Sequence, residues 1–255
     1  MPLQNMCKIT NIEKQCENTF LLTADMGDIA AGAKAGQFVH ILCGEGNMLR
    51  RPISICDVQD SELTVIFEVK GSGTKWLSER AVGEYIDVLG PLGHGFKLDG
   101  LSNFVVVGGG IGVPPMLFAA KSAPCRANVT AVLGFRSRDR IILDNAFNRV
   151  CGSVITATDD GSNGVQGPVT LPLEELLKRG VYDGVLCCGP RPMLRAVVEL
   201  CEKYSVPCQV SMEQRMGCGI GACLVCSCAT RKNGVEHMSR VCKDGPVFDA
   251  REVIW

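Results

Sequence analysis

Four cysteines, Cys218, Cys223, Cys226 and Cys242, carry the strongest chemical signal in the chain. The first three repeat the four-then-two spacing with which plant-type [2Fe–2S] proteins present thiolates to a cluster, and the fourth follows downstream. The run Met216-Gly217-Cys218-Gly219-Ile220-Gly221-Ala222-Cys223-Leu224-Val225-Cys226 is built largely from small residues. Such a loop can curl closely around a cluster and aim backbone N–H groups at its sulfurs. A structural zinc site also takes four cysteines but pairs them in two short-spaced knuckles, and only Cys223 and Cys226 form one here. Cys228, two residues beyond Cys226, is either a free thiol beside the cluster or a substitute ligand. The chemistry these residues point to is transfer of single electrons.

Two further groups of residues read as nucleotide grips. Arg50-Arg51-Pro52-Ile53-Ser54-Ile55 follows one strand-like run and ends another, so a guanidinium, a rigid turn and a hydroxyl fall close together. Arg51 suits a charge-assisted contact to a pyrophosphate oxygen, and Ser54 a hydrogen bond to a flavin ring or ribityl chain. Alone, the motif would read as a solvated arginine at a strand edge. It is followed by Phe67-Glu68-Val69-Lys70-Gly71-Ser72-Gly73-Thr74, where a strand meets a glycine-rich turn that opens a helix. Backbone N–H groups at such a start receive phosphate, although Gly71 and Gly73 by themselves describe an ordinary turn. Gly90-Pro91-Leu92-Gly93-His94-Gly95-Phe96 reads as a tight closing loop, with His94 exposed rather than catalytic.

The second grip is Val105-Val106-Val107-Gly108-Gly109-Gly110-Ile111-Gly112-Val113-Pro114-Pro115, a buried strand running into a glycine turn and a helix with proline in its first turn. The glycine spacing departs from the common dinucleotide fingerprint, because Val113 and Pro115 stand where small residues belong. That disfavours a plain Rossmann dehydrogenase. Cys188-Gly189-Pro190 repeats the strand, turn and helix plan further on, and ligands of such folds bind at the carboxyl ends of the strands. Arg136 and Arg138 leave NAD against NADP open, since a 2′-phosphate would attract them but loop arginines usually face solvent.

The elements that must position these residues fall into three segments. Residues 1–99 alternate short strand-like runs (20–24, 37–42, 63–69, 85–89) with turns and predict an antiparallel β-barrel. Residues 100–210 alternate apolar strands (104–107, 129–133, 154–157, 185–188) with helix-length stretches and predict a parallel α/β sheet. Residues 211–255 are too few to hold together by apolar burial, and a metal cluster would supply the staple. A chain of 255 residues that is 46% hydrophobic can bury a full core. Its net charge of -1 and interspersed charges argue against a nucleic-acid partner. The absence of a long apolar run and of a signal-like N-terminus predicts a soluble cytoplasmic protein without a membrane contact. In a reducing compartment Cys7, Cys16, Cys43, Cys56, Cys125, Cys151, Cys187, Cys201 and Cys208 are most simply small core hydrophobes.

Taken in order, Arg51 to Ser54, Gly73-Thr74, the glycine run from Gly108, Cys188-Gly189-Pro190 and the cysteine cluster resemble the ferredoxin–NADP reductase superfamily. Within it, the run from Met216 to Cys223 together with Arg240-Val241-Cys242-Lys243-Asp244-Gly245-Pro246-Val247-Phe248 is similar to electron-transfer subunits of type B dihydroorotate dehydrogenase. The resemblance spans essentially the whole chain. It implies an FAD-binding barrel, an NAD-binding α/β domain and a C-terminal [2Fe–2S] domain with Cys218, Cys223, Cys226 and Cys242 as ligands. It implies FAD contacts at Arg51, Pro52, Ile53, Ser54, Phe67, Glu68, Gly73 and Thr74, and nucleotide contacts at Gly108, Gly109, Gly110, Gly112, Pro114, Cys188, Gly189 and Pro190. It further implies a partner, an FMN-containing dihydroorotate dehydrogenase catalytic subunit in a heterotetramer, that oxidises dihydroorotate in pyrimidine biosynthesis. No acid–base residue for that step is expected in this chain. The competing readings are a reductase subunit of a hydrogenase or transhydrogenase complex and a non-enzymatic flavin redox sensor.

Overall fold

The computed structural model describes residues 2–255. The first six strands, β1 (Leu3–Cys16), β2 (Thr19–Asp25), β3 (Phe38–Ile41), β4 (Arg51–Gln59), β5 (Glu62–Glu68) and β6 (Tyr85–Leu92), close an antiparallel barrel in the order β1-β2-β5-β4-β3-β6. Alternation along the strands sends Leu22, Ala24, Val39, Ile41, Ile53, Ile55, Leu63 and Val65 into its interior. Two short helices, α1 (Asp28–Ala31) and α2 (Ser72–Ser78), connect β2 to β3 and β5 to β6 and add Ile29, Ala30 and Leu77 to the same core.

The chain then enters a parallel sheet through β7 (Asn103–Gly109), α3 (Val113–Lys121), β8 (Asn128–Phe135), α4 (Asp144–Val150), β9 (Ser153–Thr158), β10 (Val165–Gln166), α5 (Thr170–Arg179), β11 (Gly184–Cys188), α6 (Arg191–Lys203) and β12 (Cys208–Ser211). Phe104, Val105, Val106 and Val107 are buried on both faces, as the unbroken apolar run requires of a central parallel strand. Every residue of α3 except Lys121 is buried, because this helix is wedged between β4 of the barrel and β7 of the sheet. Lys121 closes the wedge with an ion pair to Asp57 at 2.5 Å.

After β12 come an antiparallel hairpin, β13 (Ser227–Lys232) and β14 (Val235–Arg240), and a last strand, β15 (Val247–Asp249). Asn233 and Gly234 both have positive φ, the tight hairpin turn that Asn-Gly favours. β15 pairs antiparallel with β12, giving a seven-stranded sheet in the order β10-β9-β8-β7-β11-β12-β15. Segment 211–255, expected to need a metal staple because its own apolar burial is too small, also draws on the core of the sheet. Its residues Val241, Phe248, Ala250 and Val253 share one core with Val105, Val107, Val185 and Val210 of the sheet. Burial of each large apolar side chain there contributes about 1.5–3 kcal/mol.

Two other expectations change. The motif at Arg51 follows β3, as expected, but it opens the next strand, β4, rather than ending another run. Cys125 is exposed and Cys16 and Cys151 only half-buried, so those three are not core residues, whereas the remaining six of that group are buried.

Candidate functional site

Arg50 and Arg51 are adjacent yet do different things. Arg50 Nη2 donates to Asp87 Oδ2 at 2.7 Å, and its Nη1 donates to the carbonyls of His40 and Asp87, so it clamps β3 to β6. Arg51 lies across Gly73, where a Cβ would stand 2.5 Å from its Nε, and it donates to the Leu49 carbonyl and to Asn47 Oδ1. Asn47 also accepts from Ser72 Oγ at 2.7 Å, so one loop gathers Arg51 and the start of α2. Thr74 Oγ1 accepts from the N–H groups of Lys70 and Gly71 and fixes that start. Among the described residues Arg51 has no carboxylate partner. A guanidinium held by neutral acceptors alone fits the anionic pyrophosphate of a dinucleotide such as FAD.

Pro52 and Ser54 lie on the outer face of β4, opposite His40 and Phe38 of β3. Ile53 turns into the barrel core, and Phe67 is buried and stacks on Phe20 at 6.0 Å between ring centroids. These two positions offer a ligand backbone only. Glu68 is paired to Lys70 at 3.1 Å.

The two nucleotide loops meet. β7 and β11 are neighbours with Gly108 opposite Cys188, so both loops leave the carboxyl edge of the sheet side by side. Gly112 packs so tightly on the Cys188 carbonyl and the Gly189 N–H that any side chain there would collide with backbone. Pro114 is buried in the first turn of α3, while Gly110 and Pro190 are exposed at the loop tips and Gly109 faces Met193. Burial pushes the Cys188 thiol up to about 12, against an opposing hydrogen bond with Ser211. It is not a ready nucleophile at neutral pH.

The four predicted cluster cysteines fall into two pairs. Cys218 N–H donates to Cys223 Sγ at 3.4 Å, and Cys242 N–H donates to Cys226 Sγ at 3.4 Å. The N–H groups of Ile220, Ala222 and Cys223 point at Cys218 Sγ at 3.5, 3.2 and 3.4 Å. Burial opposes ionisation of Cys218, but the N–H groups of Ile220 and Cys223 and the Cys223 thiol outweigh it and hold Cys218 down at about 6. Cys242, by contrast, is pushed up to about 12 by burial and the adjoining Cys226 thiol. Two thiol pairs with N–H groups aimed at sulfur would hold a binuclear iron–sulfur cluster, which would supply single-electron transfer. Cys226, rather than Cys228, meets Cys242; Cys228 is buried on β13 and its thiol is raised by that burial.

Three residues that shape the site were given no role from the sequence, although Arg240 and Asp244 lie within the run from Arg240 to Phe248. Arg240 forms a forked ion pair with Asp244 at 2.9 and 3.0 Å and donates to the Gly221 carbonyl at 3.2 Å, tying the Cys242 turn to the loop carrying Cys218 and Cys223. The third, after Arg240 and Asp244, is His40, fully buried on the outer face of β3, where Gly219 (φ +73) leaves room for its ring. Burial lowers His40 to about 4; backbone groups of Arg50 and Cys218 oppose this without reaching hydrogen-bond geometry at either ring nitrogen. An unpaired buried imidazole costs about 1–3 kcal/mol.

Comparison with known proteins agrees with this geometry. Residues 213–254 match the family model described as the iron-sulfur cluster binding domain of dihydroorotate dehydrogenase B. The chain is 40% identical to the dihydroorotate dehydrogenase B (NAD(+)) electron transfer subunit of Caldanaerobacter subterraneus subsp. tengcongensis, over 86% of this chain and 87% of that one. It is 39% identical to the subunit of the same name from Desulforamulus reducens, over 97% of both chains. Among solved structures, an NADH-dependent reduced ferredoxin–NADP oxidoreductase, studied for flavin-based electron bifurcation, superposes with TM-score 0.89 at 30% identity, covering 98% of this chain and 90% of that one. A ferredoxin reductase of carbazole 1,9a-dioxygenase, 19% identical with TM-score 0.69 over 81% of this chain and 67% of that one, shares the fold. Barrel, sheet and paired cysteines thus coincide with a sequence match over nearly the whole length, and the chain belongs to the dihydroorotate dehydrogenase B (NAD(+)) electron transfer subunit family.

Proposed function

We propose that this chain carries electrons from dihydroorotate, oxidised at the FMN of a partner catalytic subunit, through a [2Fe–2S] cluster and FAD to NAD+ in pyrimidine biosynthesis. The observation that carries the reading is the pairing of Cys218 with Cys223 and of Cys226 with Cys242 in a loop seated on the barrel face that bears Pro52 and Ser54. FAD supplies the conversion between hydride transfer and single-electron transfer. Arg51, Ser54, Gly73 and Thr74, with the backbone at Pro52, Ile53, Phe67 and Glu68, would hold it. Gly108, Gly109, Gly110, Gly112 and Pro114 with Cys188, Gly189 and Pro190 would receive the dinucleotide. The functional units are residues 1–99, 100–210 and 211–255, the last packed on the second.

Exposed Ile220, Leu224 and Val225 ring the cysteine loop, an apolar surface that suits a partner subunit. We assign that face to the catalytic subunit, in a cytoplasmic heterotetramer; no helix among the described residues is long and apolar enough to cross a membrane. The solved relative that couples NADH and ferredoxin favours a second reading, a reductase subunit of a transhydrogenase-type complex. The deciding experiment adds the FMN subunit to the purified chain. Orotate formation coupled to NAD+ reduction is expected, with none from the isolated chain; failure of coupling together with ferredoxin-dependent turnover would select the second reading.

A further inference from the structure

His40 stands between the two redox sites. It lies directly opposite Pro52 on the paired strands β3 and β4, with Phe38 opposite Ser54, so these four residues share the outer barrel face. Val39 and Ile41, the alternate residues, fill the barrel interior. Gly219, the neighbour of Cys218, sits on the other side of the ring: a Cβ there would stand 2.5 Å from His40 Nδ1. The Cys218 backbone is also close enough to act on the ring. No bulk solvent reaches His40, and among the described residues neither ring nitrogen has a hydrogen-bond partner.

An apolar residue would fill this site without burying two unpaired nitrogens. Orphaned polar atoms at the seam between the flavin-motif face and a cluster loop therefore call for partners that arrive when the site is loaded. We propose that His40 is a positioning residue of the electron path, its imidazole setting the Cys218–Gly219 turn against the Pro52–Ser54 face and completing its hydrogen bonds only in the loaded protein. The proposal rests on the reading of the chain as a flavin and [2Fe–2S] protein. Groups that orient ligands from just outside a metal site change its behaviour without binding the metal.

The test uses the full chain purified anaerobically with its cofactors. The chain has only three histidines, His40, His94 and His237, so 15N-histidine labelling gives a clean probe. Pulsed electron paramagnetic resonance of the reduced cluster should show a weak 15N coupling that persists in His94→Gln and His237→Gln and vanishes in His40→Phe. Stopped-flow reduction of the cluster by NADH through the flavin should slow about ten-fold in His40→Phe. His40→Asn, which keeps a polar atom near the Nδ1 position, should recover most of the rate. Iron and flavin content should be unchanged in both. A loaded wild-type chain with no 15N-histidine coupling overturns this proposal alone, whether or not His40→Phe folds. An unchanged cluster-reduction rate in loaded His40→Phe overturns it too. A wild-type chain that takes up neither cluster nor flavin removes the functional reading and this proposal together.

Discussion

Cys56 in the barrel and Cys218 in the cluster loop are the same residue in opposite surroundings. Cys56 is sealed among apolar side chains, and burial drives its thiol far above the ordinary range. At Cys218 burial acts in the same direction, but backbone N–H groups at 3.2 to 3.5 Å prevail and the thiol falls to about 6. In this chain of 15 cysteines the acidity of Cys218 is thus set by N–H groups aimed at its sulfur, not by the number of thiols nearby. The barrel is a closed, apolar body; the loop is an open cage whose geometry depends on small residues and on Arg240.

The largest break in that comparison comes from removing thiols. Cys226→Ala should abolish the cluster, while Cys228→Ala and Cys56→Ala should keep it and cost stability of only ~1 kcal/mol; iron and acid-labile sulfide assays separate the outcomes. A cluster lost in Cys228→Ala and kept in Cys226→Ala would reverse the ligand assignment.

Next in size is the contrast in thiol reactivity. In protein stripped of metal, alkylation at pH 7 followed by peptide mapping should modify Cys218 well before Cys43, which burial raises to about 11 despite opposing charges on Arg51 and Arg50. The sign for stability follows. The folded protein retains the Cys43 proton more tightly than the unfolded chain, so this contribution is intact below pH 9 and is lost as pH rises through about 11. Denaturation midpoints should fall over that window, and less steeply in Cys43→Ala.

Arg51→Ala should weaken FAD binding by about 1.5–3 kcal/mol and leave the fold intact. Arg50→Ala, which leaves Asp87 with a hydrogen bond from Gln4 but no ion pair, should instead lower the unfolding midpoint with little change in flavin affinity. Titration of deflavinated variants reads the difference, and identical behaviour would erase the division of labour between the two arginines. The smallest effect is expected for Arg240→Ala. Its solvent-screened pair with Asp244 contributes little, so the cluster should still assemble and be lost only a few-fold faster to a chelator.

The sequence disclosed the barrel, the parallel sheet and the cysteine cage because each rests on local pattern: alternation, unbroken apolar strands, and ligand spacing. It concealed what depends on distant packing. β1 is mostly exposed and rich in polar residues, so no apolar run announces it. β12 and β15 are short, and their pairing ties the cluster segment to the sheet. His40 looks like one polar residue in an apolar strand until Gly219 is folded over it. The Asn233-Gly234 hairpin signal was present and readable. Arg51 was singled out by its motif, but its different surroundings from Arg50 required the positions of Asp87 and Gly73.

The central claim is that the two thiol pairs hold a two-iron cluster. Iron, zinc and acid-labile sulfide measured on the anaerobically purified chain, with flavin content and the electron paramagnetic resonance spectrum after NADH reduction, test it most directly. About two iron and two sulfide per chain, one FAD and a reduced-cluster signal are predicted. Stoichiometric zinc without sulfide would contradict the account.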